Sequence, residues 1–285
     1  MLEEFIDRPH DYLALGSWIN TGVRYVVEHN GALFDHAGRV VEGFAALIEG
    51  ALQATPPWLL IALVTALAWR RLSWRFALFA ALSLGLIFAL GYWPQTMVTL
   101  ALTLAATCIS LALGVPLGIL AAKSAGLRNV IRPLLDFMQT MPAFVYLIPA
   151  VMLFGLGRVP GVLATVIFAM PPAVRLTTMG ILGVDREQVE AGQAFGASGR
   201  QLLFKVQLPL ALPALMSGIN QTIMMALSMV IVTSMVGAGG LGGEVLNSIQ
   251  QLDVGLGFES GLCVVLLAII LDRTTQSFGQ RRDGA

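Results

Sequence analysis

Charge is what this chain has least of. Of its 285 residues only 12% are Asp, Glu, Lys or Arg, against about 25% in a soluble globular domain. The formal net charge is zero, which says nothing about partners; the distribution of the charges does. Cysteine is nearly missing too. Cys108 and Cys263 lie inside apolar segments, which reads as two buried small hydrophobes and excludes a disulfide framework or a metal-ligand spacing. The three histidines, His10, His29 and His36, all precede the first long apolar segment. No histidine then lies at membrane depth as metal ligand or general base, which argues against an intramembrane enzyme and for solvated surface histidines. Lysine occurs only as Lys123 and Lys205, neither within G-x-x-x-x-G-K-[ST], so the chain has no phosphate-binding loop of its own for ATP. The start, MLEEFIDR, is acidic and without a short apolar core, so no cleavable signal peptide is expected.

Apolar residues fill the space that charge leaves. They make up 56% of the chain, and the mean hydropathy is +0.78. A spanning helix needs about 20 mostly apolar residues. Seven segments come near that length: 55–70, 74–93, 95–122, 141–157, 159–181, 208–236 and 256–272. The chain is therefore expected to be an all-α polytopic membrane protein with about seven transmembrane helices. Pro116 and the pair Pro171 and Pro172 fall inside the third and fifth segments, and Pro149 inside the fourth. Such breaks are tolerated where protein or a water-filled cavity satisfies the freed backbone groups, so these segments are expected to be interrupted.

Basic residues orient the bundle, because they favour cytoplasmic loops. Arg70, Arg71 and Arg75 follow the first segment; Lys123, Arg128 and Arg132 follow the third; Arg175, Arg186, Arg200 and Lys205 surround the fifth-to-sixth loop; Arg273, Arg281 and Arg282 follow the last. All fall on one side of a seven-span bundle. The stretch 237–255 has no basic residue and carries Glu244 and Asp253. These counts put the N-terminus outside and the C-terminus in the cytoplasm. Residues 1–54 read as a separate external or interfacial piece, 55–276 as the transmembrane domain, and 277–285 as a cytoplasmic tail. Within the first piece Leu33, Ala37, Val40, Val41, Phe44, Ile48 and Ala51 recur at helical spacing. Arg39, Glu42 and Glu49 fall largely off that face. The pattern predicts an amphipathic helix on the membrane surface or against the bundle, after a weaker one over residues 12–28.

One polar stretch interrupts the apolar half, EAGQAFGASGRQLLFKVQLP, with a coupling loop expected over about 185–207. Asp185 with Gln188, and Ser198 with Gln201, have capping-box spacing. Gly196 supplies a stop, and Pro209 marks a turn into the next span. Two short helices around a glycine corner result, with Val189, Ala191, Ala194 and Phe195 as an apolar face suited to a partner's groove. Glu190, Ala191 and Gly192, then Gly196, Val206, Leu208 and Pro209 resemble the EAA loop of permease subunits in ATP-binding-cassette importers; Gly192 departs mildly from the more usual alanine. The resemblance implies that Glu190, Ala191, Gly192, Phe195, Gly196, Leu208 and Pro209 couple the chain to a separate ATPase subunit.

Further stretches resemble the glycine betaine, proline betaine and choline uptake permeases: residues 97–104, 114–119, 131–157, 159–177, 195–230 and 267–276. That likeness implies a type I importer core, a homodimer of permeases, two ATPase copies, an extracytoplasmic binding protein, and residence in the bacterial inner membrane. It implies no cofactor in this chain, with ATP and Mg on the ATPase, and no nucleic acid partner. The solute is expected to be a quaternary-ammonium compatible solute (glycine betaine, proline betaine, choline or carnitine). Quaternary ammonium groups are drawn to aromatic faces, which makes Phe144 and Tyr146 candidates for the path. Hydroxyls and amides facing lipid would be costly, so Thr99, Thr103 and Thr107, and Ser217, Asn220, Gln221 and Ser228, are candidates as path lining or as interhelical hydrogen-bonding groups. An ion-coupled secondary carrier is the rival, but the buried ionisable residues and inverted repeats it predicts are not visible. The run Gly237 to Gly242 matches G-x-G-x-x-G without a preceding strand, and is expected to be a flexible external loop.

Overall fold

Proline and serine set many of the helix boundaries. A computed structural model describes residues 15–279, as helices joined by short turns. We number them α1 (Leu15–Ala54), α2 (Pro57–Arg71), α3 (Trp74–Ala89), α4 (Trp93–Lys123), α5 (Ala125–Thr140), α6 (Ala143–Phe154), α7 (Arg158–Leu182), α8 (Arg186–Ala194), α9 (Gly199–Leu202), α10 (Leu208–Thr233), α11 (Leu241–Gln251) and α12 (Val254–Gly279). Proline occupies the first turn of α2 and α4, where a missing N–H costs nothing. Ser73 and Ser124 cap α3 and α5, accepting from Phe76 N and Leu127 N at 3.3 Å.

Each expected apolar segment forms a helix, but their lengths differ. Four are long and apolar enough to cross a membrane: α4, α7, the run Gly199–Val236 and α12. Two further candidates are bent pairs, His29–Ala54 with α2 at 97° and α5 with α6 at 98°. Helix α3 has 16 residues and spans about 24 Å, short of a hydrocarbon core of roughly 30 Å. Length alone therefore supports four crossings, or six if each bent pair is one span, where the apolar segments suggested seven. The interior prolines do not break their helices: Pro116 lies within α4 and Pro171 and Pro172 within α7. The break near the fourth segment falls instead at Pro142, the N-cap of α6, since a residue preceding proline is pushed towards extended backbone.

The core is α7 packed between α10 and α4, the two most extensive helix pairs among the described residues. Lipid tails are as apolar as leucine, so such helices associate by close packing of small residues. At Gly118 of α4, a Cβ would stand 2.7 Å from the Thr177 Cβ and 2.8 Å from the Val174 carbonyl of α7; no side chain fits there. Helix α12 packs on α10 and α11. A second cluster joins Ala80, Leu84 and Ile87 of α3 to Cys263, Leu267 and Ile270 of α12.

Helix α1 lies against the bundle. Val41 and Ala45 are buried with Leu102 and Val162, whereas Leu33 and Val40 of the expected face are exposed. Glu49 corrects the expected pattern further: its carboxylate meets the Arg158 guanidinium at 2.6 Å, on the packed side. The weaker first helix begins at Leu15 within the described residues and meets the second at Asn30, the one non-helical residue inside α1. His29 stacks on Tyr25 with ring centroids 4.0 Å apart, and His36 is exposed; His10 lies outside the described residues. Cys263 is buried, but Cys108 is exposed on the outer face of α4.

The glycine run is not a flexible loop. Ala238 and Leu241 are buried, and Leu241 N donates to Thr99 Oγ1 at 2.8 Å. Residues 241–251 then form α11, an element the sequence did not reveal. A short loop with this much buried backbone must find internal hydrogen-bond partners, and Thr99 supplies one.

Candidate coupling site

The polar interruption folds into the expected corner. Helix α8 starts after Asp185, whose carbonyl accepts from Gln188 N at 3.1 Å and Val189 N at 3.2 Å. The expected side-chain cap does not form there: Asp185 is exposed, where solvent can compete with the backbone for its carboxylate. Arg186 Nε stands 3.2 Å from Glu190 Oε1, an exposed i,i+4 pair that contributes a few tenths of a kcal/mol.

The exit of α8 turns on two glycines. Gly196 has φ +76°, a left-handed conformation that costs other residues about 1 kcal/mol. Ala197 N donates to the Gly192 carbonyl at 3.1 Å and Gly196 N to the Gln193 carbonyl at 2.9 Å, which together make a Schellman motif. Gly192 lets the two short helices touch: a Cβ there would come 2.9 Å from Leu202 Cδ1. On the far side, Ser198 and Gln201 form the expected capping box, Ser198 N donating to Gln201 Oε1 at 2.8 Å and Gln201 N to Ser198 Oγ at 3.4 Å.

The second short helix does not end in a turn at Pro209. Helix α9 passes through a π-helical turn, Leu203–Gln207, directly into α10. Pro209 sits in the first turn of α10, and the wider turn before it tolerates the missing N–H. Leu203 is buried with Ile181 and Ala211, so the corner is rooted in the bundle while its tip is free. Glu190, Ala191 and Ala194 are exposed, Leu208 half-buried. The Phe195 ring is 92% exposed, and no apolar neighbour covers it. A rigid corner tipped by an uncovered aromatic suits a partner's groove rather than the fold's own core.

The candidate path residues divide into two groups. Thr99, Thr103 and Thr107 are buried within the bundle. Thr99 donates to the Gln95 carbonyl at 3.0 Å and Thr103 to the Thr99 carbonyl at 2.7 Å. Tyr146 is buried with its hydroxyl donating to the Met138 carbonyl. Thr107 Oγ1 is buried without a hydrogen-bond partner among the described residues, so three of the four are held by hydrogen bonds within the single chain. Ser217, Gln221, Ser228 and Phe144 instead point outward. Asn220 is held between them, its amide donating to Asp272 Oδ1 at 2.9 Å and its carbonyl accepting from Thr275. The sequence did not single out Asp272 as a partner; its position 52 residues further on is visible only once α10 and α12 are packed.

A bundle of membrane-spanning helices with one ordered, aromatic-tipped polar corner defines a transport permease built to work with other subunits. Residues 114–283 match the family described as binding-protein-dependent transport system inner membrane component, and the chain belongs to that family. It is 48% identical over 272 residues to the glycine betaine/proline betaine transport system permease protein ProW of Escherichia coli K12, covering 94% of this chain and 76% of that one. It is 46% identical over 273 residues to the glycine betaine/carnitine transport permease protein GbuB of Listeria monocytogenes, covering 94% and 96%. Among solved structures, an inward-facing methionine transporter MetNI aligns with a TM-score of 0.59 at 21% identity, over 66% of this chain and 94% of that one. The chain is thus a multi-pass inner-membrane transport subunit of an ATP-binding-cassette importer rather than an enzyme. Its family works with an ATPase subunit and a binding protein.

Proposed function

We propose that this chain imports a quaternary-ammonium compatible solute, glycine betaine first among them, with proline betaine, choline and carnitine as the other members of the class. The observation that carries this reading is the 46–48% identity over 94% of the chain to permeases named for glycine betaine transport. Two copies of the permease enclose the path, and two ATPase subunits bind ATP and Mg. An extracytoplasmic binding protein delivers the solute. The N-terminus is outside and the coupling corner and C-terminus are cytoplasmic, as the basic residues suggest; this needs an odd number of crossings, the six counted above with the short α3 as the seventh. Residues 1–54 form the outer piece, 55–276 the permease domain and 277–285 the tail.

Glu190, Ala191, Gly192, Phe195, Gly196, Leu208 and Pro209 act as the coupling element, with Phe195 as anchor in an ATPase groove. Closure of the ATPases moves the rooted corner, and the corner moves α7 and α10. Access then shifts from one side to the other by differential binding of two states. Ser217, Gln221, Ser228 and Phe144 face the space between the copies. The test has two readouts. Cells lacking other betaine uptake should accumulate labelled glycine betaine only with the whole assembly, and the Gly196→Asp variant should lose both uptake and ATPase copurification while inserting normally. Full uptake and ATPase recovery in that variant would refute the coupling assignment. Normal coupling without accumulation of any of the four solutes would refute the solute.

A further inference from the structure

Helix α5 turns back over the end of the bundle and walls a cavity of about 610 Å3. Its other walls are the last turns of α4 and α7. Three guanidinium groups line it, from Arg128, Arg132 and Arg175, against a single carboxylate, Asp136. Arg175 Nη2 and Asp136 Oδ1 are 2.5 Å apart, so one positive charge is compensated. Arg128 reaches only the Ala121 carbonyl, at 3.5 Å, near the C-terminus of α4, where the helix dipole is negative. Arg132 makes no hydrogen bond or ion pair among the described residues. The cavity therefore holds uncompensated positive charge and a set of free N–H donors arranged for an oxyanion.

Apart from Thr178, the rest of the lining is apolar. Met179 and Leu182 of α7 are exposed and form one wall of the same cavity. Helix α5 is strongly amphipathic: Leu135 and Met138 are buried, while Val130, Leu134 and Phe137 form an exposed apolar edge. A helix of this kind, bent 98° from the next, suits the membrane interface, where its apolar edge would meet the acyl region. Cationic pockets beside spans at that depth meet lipid phosphates. Free phosphate would have no use for Met179 and Leu182; a lipid would.

We propose that this cavity binds the headgroup of an anionic membrane phospholipid. The phosphate sits among Arg128, Arg132 and Arg175, and the first acyl carbons lie on Met179 and Leu182. The inference rests on the membrane placement of the chain and is independent of which solute is carried, so uptake assays and lipid assays fail separately.

The test uses the complete transporter extracted from bilayers of mixed phosphatidylglycerol and phosphatidylcholine, with retained lipid identified by native mass spectrometry. The wild type should retain phosphatidylglycerol in preference. Arg132→Gln should lower that preference roughly fivefold, the usual effect of one basic residue near an anionic surface. Asp136→Asn, which frees Arg175, should raise it. Opposite signs from two substitutions in one cavity exclude a general loss of folding, and Arg132→Lys should keep most of the preference. Equal retention of the two lipids in the wild type would overturn the proposal, as would a ratio that neither variant moves. Displacement of the lipid by millimolar inorganic phosphate would overturn it in favour of a soluble anion. Loss of the ATPase or of the second permease copy, with the lipid ratio unchanged, would overturn it in favour of a protein contact.

Discussion

Phe195 and Gly118 occupy opposite physical situations, and substitutions at them separate function from stability. Phe195 is almost fully exposed among the described residues. Phe195→Ala should leave the thermal midpoint of the purified permease unchanged, because exposed substitutions away from special features stay within about 0.5 kcal/mol. ATPase recovery in a pull-down should fall by at least about tenfold, since a central aromatic anchor contributes about 2 kcal/mol or more. Gly118 is the reverse case. Its Cβ position is filled by Thr177 and a carbonyl, and backbone cannot step aside as a flexible side chain can. Gly118→Ala should cost about 1–3 kcal/mol through overpacking, read as a lower thermal midpoint in detergent, with the corner's affinity for the ATPase intact. An unchanged midpoint would mean that α4 and α7 do not meet as described.

Elements differ in how far their own sequence specifies them. The coupling corner is local: a Schellman motif at Gly196 and a capping box at Ser198 need residues only a few positions away, and both were legible in the spacing. The miss at Asp185 is also local, an exposed carboxylate for which solvent can compete with the backbone. Helix α1 is the opposite. Its periodicity announced a helix but misassigned its face, because Arg158, which lies 109 residues beyond Glu49 and donates to it at 3.2 Å, draws that carboxylate onto the packed side. Arg158→Gln should loosen α1 by about 2 kcal/mol, the usual contribution of a hydrogen bond to a charged group. Limited proteolysis should then cut within residues 31–54 faster in the variant, with the core helices still protected. Equal cleavage rates would show that Val41 and Ala45 alone hold the helix.

At the scale of the molecule, topology is the property that the charge distribution argues and that a labelling experiment reads directly. In a background where Cys108→Ala and Cys263→Ala remove the native thiols, Asn247→Cys on α11 should react with an impermeant maleimide in intact cells. Gln193→Cys on the coupling helix should react only after the membrane is opened. Both positions are exposed in the single chain, so packing within it does not hide them, and opening cells that lack the ATPase separates side from cover by the partner. Labelling of Gln193→Cys from outside would reverse the orientation and with it the placing of the ATPase. The path belongs to this scale too. One copy of the chain buries Thr99, Thr103, Thr107 and Tyr146 and leaves Ser217, Gln221 and Ser228 uncovered; these three are the ones that the second copy proposed above would enclose.

Composition and period by themselves determined the helical membrane class, the seven apolar segments and the corner at Gly196. Each depends on interactions within about five residues or on transfer of a whole segment out of water. Only the tertiary structure decided that Thr99 secures the glycine run at Leu241, that Glu49 reaches Arg158, and that Arg128, Arg132 and Arg175 share one cavity. Thr99 and Leu241 are 142 residues apart and Glu49 and Arg158 are 109 apart, and Arg175 of α7 lies 43 residues beyond Arg132 of α5. Their meeting is set by how closely small residues let α4, α7 and α10 approach, and no local periodicity encodes that distance.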